Sequence, residues 1–248
     1  MPKPNKHPAG DAGNDAARGR RLPASQRRAI MLAAAAVYFA KHGFAASTRD
    51  LAEALGVTQA LIYKHFESKE DLIEKTLESA LGQSDGGPGW VGSPETLQAD
   101  LTAFYRRFVA RSTETRMRLF MRAGLEGLSW PTKRGHALTQ KVFLPVIVAL
   151  RQAAGLPGFD ASPAMRGERE LVMALHAGMV FLGIRRHVYG MPMPENLDDV
   201  VDLNVRTFVA GAVPGIARLH AEGGDSLTAQ LLVPAVETVP DVAIVPDR

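Results

Sequence analysis

Apolar residues recur at three- and four-residue spacing along most of this chain, and outside a short stretch after Val233 no period-two alternation of useful length competes with them. The pattern predicts an all-α protein. A first helix is expected from Ser25 to His42, with Ile30, Ala33, Ala34, Val37 and Tyr38 or Phe39 inward, closed by Gly43. Two short helices follow in TRDLAEALGVTQALIYKHF, residues 48 to 66. The first is capped at Ser47 or Thr48, carries Asp50 in its first turn and turns Leu51, Ala52 and Leu55 inward. Gly56 lets the chain turn sharply, Val57 re-enters the core, and Thr58 caps a second helix that buries Ile62 and Phe66. A fourth helix, Lys69 to Leu81 behind a Ser68 cap, carries Leu72, Ile73, Thr76, Leu77 and Ala80. The breaker cluster QSDGGPG then marks a domain boundary.

Beyond that cluster the same periodicity continues. Ser93-Pro94 reads as a helix start before Leu97, Leu101, Phe104, Tyr105 and Phe108. A helix from about Thr113 to Leu128 turns Met117, Phe120, Met121 and Leu125 inward. Another spans residues 132 to 154, with Pro145 as a candidate kink. Ser162-Pro163 opens the next, and Leu197 to about Leu219 forms the last. Its predecessor is apolar nearly all round from Leu171 to Ile184, so protein must cover it on several sides.

Composition narrows the classes. A chain of 248 residues, 46% hydrophobic, can fill one small and one larger core. With no cysteine, disulfides, thiolate metal sites and cysteine nucleophiles are excluded together. No signal-like apolar run precedes Ile30 and no stretch reaches the roughly 20 apolar residues of a membrane span, so a soluble, cytoplasmic protein is expected, without membrane contact. The net charge of +3 is small, but Lys3, Lys6, Arg18, Arg20, Arg21, Arg27 and Arg28 face only Asp11 and Asp15 ahead of the short helices. That arm either adds phosphate affinity or is a solvated tail.

The second short helix has a distinctive outer face. Opposite Ile62 and Phe66 it presents Gln59 above Tyr63 and Ala60 above Lys64: an amide, a small residue, a phenol and a cation. Such a face suits a DNA groove, and Leu61 lies between it and the core, placed either to pack or to meet a thymine methyl.

At this point residues 46 to 77 resemble the DNA-binding region of the tetracycline-repressor (TetR/AcrR) family, matching its signature at Ser47 or Thr48, Leu51, Ala52, Gly56, Val57, Thr58, Ile62, Tyr63, His65, Phe66, Lys69 and Leu72. The resemblance implies that Tyr63, His65 and Lys69 hold backbone phosphates, while Arg49, Gln59, Ala60 and Leu61 meet base edges. Thr48, Thr58 and Lys64 complete the expected DNA-contact set. Gln59, Ala60 and Lys64 vary across the family and would set the operator sequence. His65 has a second reading, as a packing residue beside Phe66.

The resemblance also implies a dimer and an effector cavity in the second domain. Leu171, Ala174, Gly178 and Phe181, with Val201, Val205 and Phe208 on the last helix, are the expected dimer face; a monomer's core is the alternative. Phe104, Met117, Phe120, Met121, Trp130, Phe143, Met173, His176 and Met179 would line an adaptable, largely apolar pocket, or else form ordinary core. His176 is the one titratable group inside the long apolar run, either a ligand contact or a satisfied core histidine. His7, His42, His136 and His220 lack metal-ligand spacing, and no P-loop, dinucleotide fingerprint or nucleophile elbow is present. Neither cofactor, metal nor catalysis is expected.

The resulting expectation is a basic arm over residues 1–22, a helix-turn-helix DNA-binding domain over 23–81, a ligand-binding and dimerisation domain over 90–233 and a tail over 234–248. It would act as a homodimeric transcription regulator, a repressor of a palindromic double-stranded operator, released by an apolar small molecule. The alternatives are a DNA-binding protein without an effector and a helical small-molecule-binding protein that does not act on DNA.

Overall fold

Ser47, Thr58 and Ser68 begin three successive helices in the same way, each accepting a hydrogen bond from the backbone N–H three residues on, at 3.1, 3.2 and 3.1 Å. In the computed structural model, which describes residues 23–82, 90–159 and 166–222, these caps open α2 (Thr48–Ala54), α3 (Gln59–His65) and α4 (Lys69–Leu81) behind α1 (Ala24–His42). The turn between α2 and α3 runs through Gly56 at φ 63°. After these four, the head, comes a body of α5 (Leu97–Ala110), α6 (Glu114–Leu125), α7 (Trp130–Leu138), α8 (Leu144–Ala153), α9 (Arg166–His187) and α10 (Leu197–Ala221). The described residues contain no strand, and the fold is all-α. The basic arm, the QSDGGPG linker, the Ser162-Pro163 start and the stretch after Val233 lie outside the described residues.

Two cores hold the molecule together, and they do not divide where the linker does. The head's core combines Phe39, Leu51, Ile62, Phe66, Leu72 and Leu77 with Leu119, Ala123 and Trp130, which come from α6 and the start of α7. Leu119 and Ala123 are completely buried there. Burying one such leucine stabilises by about 1.5–3 kcal/mol, enough to make α6 part of the head in energetic terms. The body's core packs α10 against α5, α8 and α9 through Leu101, Tyr105, Leu150, Val172, Val201, Val205 and Ile216.

The body also buries charge. Arg151 of α8 grips Glu168 of α9 with two hydrogen bonds of 2.6 and 2.8 Å, and His220 of α10 reaches the same carboxylate at 3.0 Å. Arg151 and Glu168 are 1% and 0% exposed, and Phe159 lies 4.6 Å from the guanidinium. Bidentate geometry and a ring face offset the desolvation of these groups. Three helices are thereby fastened at one end.

Several expectations need correction. In α1 the inward residues are Met31, Ala35, Ala36, Phe39 and Ala40, while Ile30 and Val37 are 56% and 60% exposed. The alanine run makes neighbouring faces equally apolar, so periodicity alone does not choose between them. Leu125 is 81% exposed, because α6 ends there. Ser93-Pro94 belongs to a turn, and α5 starts at Leu97. The single helix expected over 132–154 is two, joined by a π-turn at Thr139–Phe143 just before Pro145, where Leu144 N–H donates to Thr139 O. Finally, α10 is long and apolar enough to cross a membrane by length and composition, contrary to expectation; here its inner face is core and Arg106 of α5 pairs with its Asp202.

Candidate functional site

α3 is a seven-residue helix, too short to persist alone, and it is held by burying Ile62, which is 1% exposed. Its opposite face is open: Gln59, Ala60, Tyr63 and Lys64 are exposed together, with Thr58 and, on α2, Arg49. Leu61, His65 and Lys69 are half-buried at the margin. Tyr63 stands 45% exposed and its hydroxyl donates to Thr48 Oγ1 at 3.2 Å. Thr48 is therefore not part of the open face; at 8% exposure it orients the phenol from behind. Lys69 Nζ donates to Ala45 O at 3.2 Å, tying the start of α4 to the loop before α2. The His65 ring is tilted 56° to Phe66 with centroids 6.5 Å apart, and Arg28, counted with the basic arm, sits over the Phe66 ring at 5.2 Å.

The head meets the body through charged groups on α6. Arg122 donates to Ala40 O and Lys41 O at 3.1 and 3.0 Å, capping the carbonyl end of α1, where the helix dipole favours a cation. Glu126, paired with Arg122 at 3.5 Å, accepts from Phe44 N–H at 2.9 Å. Between these contacts the chain passes through Gly43 at φ 82°, where an added Cβ would lie 2.8 Å from Arg122 Nη1. Arg116 donates to Ala80 O at the end of α4, and Lys133 of α7 pairs with Glu74 of α4 at 3.0 Å. Sequence reasoning missed this joint, although two arginines on α6, at 116 and 122, were its trace.

Behind the joint lies a cavity of about 450 Å³ enclosed by α5, α6, α7 and α9, with Leu81 of α4 at its edge. Phe104, Met117, Phe120, Trp130, Met173 and His176 line it as expected from the sequence. Met121 does not, and Phe143 and Met179 are 0% and 1% exposed in the body's core instead. Phe143 still meets His176 edge-on at 5.6 Å, so it shapes the wall from behind. Arg111 and Arg116, at the α5–α6 corner, line the cavity and were not anticipated. Next to it, burial raises the Tyr105 hydroxyl well above the usual tyrosine range.

Of the expected dimer residues, Ala174, Gly178 and Phe181 are exposed on α9, and Leu171 and Phe208 are half-buried. Val201 and Val205 are fully buried against the subunit's own core and face no partner; the exposed side of α10 carries Leu203 instead, at 54%. The choice was ambiguous because α10 is apolar on both sides. Among the described residues no group of three acidic or histidine side chains could hold a metal.

A short helix with an open polar face, backed by α2 and fixed to a cavity-bearing helical body, defines a helix-turn-helix protein. Residues 31–76 match the family model of the tetR family of bacterial regulatory proteins. The chain is similar to the HTH-type transcriptional repressor KstR2 of Rhodococcus jostii (strain RHA1), 33% identical over 96 residues, which are 38% of this chain and 39% of the relative. It is also similar to the HTH-type transcriptional activator FasR of Mycolicibacterium smegmatis, 40% identical over 74 residues, or 29% of this chain and 32% of that one. The matches thus span about a third of these relatives' lengths. A solved tetR-family transcriptional regulator from Streptomyces coelicolor shares the fold, with a TM-score of 0.53 and 17% identity over 82% of this chain and 86% of that one.

Proposed function

We propose that the chain is a cytoplasmic, effector-gated transcription regulator, acting as a repressor: residues 23–81 read DNA, and the body dimerises and holds a small molecule. The observation that carries this reading is the double engagement of α6. Met117 and Phe120 line the cavity while Arg116 and Arg122 of the same helix hold the ends of α4 and α1. A molecule that fits the cavity in only one position of α6 shifts the head by as much as it prefers that position.

The exposed apolar strip of α9, Ala174, Gly178 and Phe181, supports a dimer, since an isolated subunit gains nothing by leaving it in water. Two-fold symmetry then calls for a palindromic operator whose half-sites lie about 34–36 Å apart or a multiple of it. On each half-site Gln59, Ala60 and Lys64, with Arg49 and Leu61, face bases, and Tyr63, His65, Lys69 and Thr58 face phosphates.

Selection from randomised duplex DNA tests the reading. The full chain is expected to enrich a two-fold symmetric sequence, and Gln59→Ala with Tyr63→Ala to lower affinity for it by roughly thirty- to twenty-thousandfold, each lost contact contributing about 1–3 kcal/mol. Enrichment of no sequence, or unchanged binding by the double variant, overturns it.

A further inference from the structure

The cavity is open on one side. Among the described residues that line it, Gly135 of α7 and Ala177 and Phe181 of α9 are also exposed to solvent, Phe181 at 47%. The mouth therefore lies between α7 and α9, and its α9 edge belongs to the exposed strip of Ala174, Ala177, Gly178 and Phe181. No charge interrupts these two turns. Val172, Leu175, Met179 and Leu182 take the opposite side of α9 into the core, so the subunit's own packing does not account for the strip. Tyr189 and Met191, 60% and 46% exposed, extend it past the helix end, the Tyr189 ring standing edge-on to Phe181 with centroids 6.3 Å apart. The neighbouring α10 is apolar enough over eighteen residues to cross a membrane, yet only 22% of that stretch is buried.

We infer that the effector site is completed by a second copy of this chain, which lies over the strip and closes the mouth of the cavity, so that effector binding and dimerisation strengthen each other. The inference rests on reading the cavity as the effector site and the strip as the dimer face. A second copy fits because the strip is self-complementary. Its small residues, Ala174, Ala177 and Gly178, lie towards one end and its large ones, Phe181, Tyr189 and Met191, towards the other. A two-fold axis sets the large end of each copy on the small end of its partner, where short side chains let helices approach closely.

The linkage follows from the position of the mouth. A ligand in the cavity of a lone subunit keeps part of its apolar surface in water there, and the partner removes that surface from water. Whatever affinity the ligand gains from the partner, the dimer gains from the ligand.

Sedimentation of the full chain reports its association, and the fluorescence of N-phenylnaphthylamine, an uncharged apolar probe, reports occupancy of the cavity. The native chain is expected to dimerise and to bind the probe roughly ten- to a hundredfold more tightly as a dimer than when diluted to monomers, the gain from about 60–110 Å² of further apolar surface taken from water. Gly178→Glu sets a charge in the strip. An added Cβ there meets nothing within 4 Å and Gly178 does not line the cavity, so the subunit keeps its fold and its lining. This variant should sediment as a monomer with unchanged helical circular dichroism, and should show the weak probe affinity of the dissociated chain at every concentration. Dilution of the native chain and substitution decide independently. Equal probe affinity in monomer and dimer, a native chain that stays monomeric, a dimer that Gly178→Glu leaves intact, or no probe binding by the dimer overturns the proposal. Monomers that collect on phosphatidylcholine vesicles would overturn it in favour of a lipid surface. A chain whose probe affinity follows dimerisation but which selects no operator fails the functional reading alone. One that selects an operator while its monomer binds the probe as tightly as its dimer fails the shared site alone.

Discussion

The head keeps its ionisable groups at the surface and fills its core with aliphatic and aromatic side chains, whereas the body buries an arginine, a glutamate and a tyrosine hydroxyl among its apolar residues. The difference follows from what each has to do. The head needs one unvarying shape for α3, and apolar packing with three serine or threonine caps provides that without risk of an unmatched charge. The body has to keep a cavity open, so its helices cannot all close upon one another; a buried ion cluster fixes their far ends where packing is interrupted. Polar contacts with strict geometry set helix register in a way that interchangeable aliphatic contacts do not.

Removing the cluster should separate the two regions most sharply. Glu168→Gln takes away the carboxylate that Arg151 and His220 share in the core, and a loss of about 3–5 kcal/mol is expected in urea denaturation. The loss should appear in the body first, as hydrogen exchange in α8 and α10 while α2 and α3 stay protected. A variant as stable as the native chain would mean that the cluster is incidental.

At the joint, Gly43→Ala introduces a Cβ into a left-handed backbone and against Arg122, for an expected cost of about 1–3 kcal/mol. Here the order of loss reverses: α1 should exchange faster while α8 to α10 remain protected. Uniform loosening of both regions would show that they unfold as one unit.

Within the head, Ser68→Ala removes the cap of α4 and should lower stability by about 1 kcal/mol, with little change in the body. The smallest effect is expected from Tyr105→Phe. The Tyr105 hydroxyl is buried with no hydrogen-bond partner among the described residues, so its removal should leave stability unchanged or raise it by up to about 1 kcal/mol. The variant also tests the alkaline limit. Burial raises this tyrosine's pKa in the folded chain, so its contribution is fully present below the unfolded value of about 10 and is lost as pH rises towards the folded one. Tyr105→Phe should flatten the alkaline fall in stability measured above that pH, and an unaltered fall would place its origin elsewhere.

How much of this was legible in the sequence differs between the same two regions. In the head, caps, glycine turns and a two-sided pattern are local signals, so α2, α3 and α4 and the exposure of Gln59, Ala60, Tyr63 and Lys64 could be read almost residue by residue. Thr48 escaped because its role depends on Tyr63, fifteen positions away. The alanine-rich α1 escaped because its sides are nearly equal in hydrophobicity. In the body the helices were legible but their partners were not: whether Phe143, Met179, Val201 or Val205 faces a cavity, a second subunit or the core depends on which helix lies opposite. The arginines of the joint and of the cavity corner carry no local signal, because what marks them is the packing of α1 and α4 against α6.

The membership of α6 in the head's core has a practical bearing on chimeras. A graft that joins this head to another regulator's body at the linker would cut away Leu119, Ala123 and Trp130 and expose the surfaces of α1 and α4 they cover. A graft point after Trp130 would carry the head's missing wall with it, but also Met117 and Phe120 and therefore part of the cavity's lining. In this architecture the head and the cavity-bearing body cannot be exchanged as independent cassettes, and the cavity is more readily reshaped by substitution on α5, α7 and α9 than by recombination.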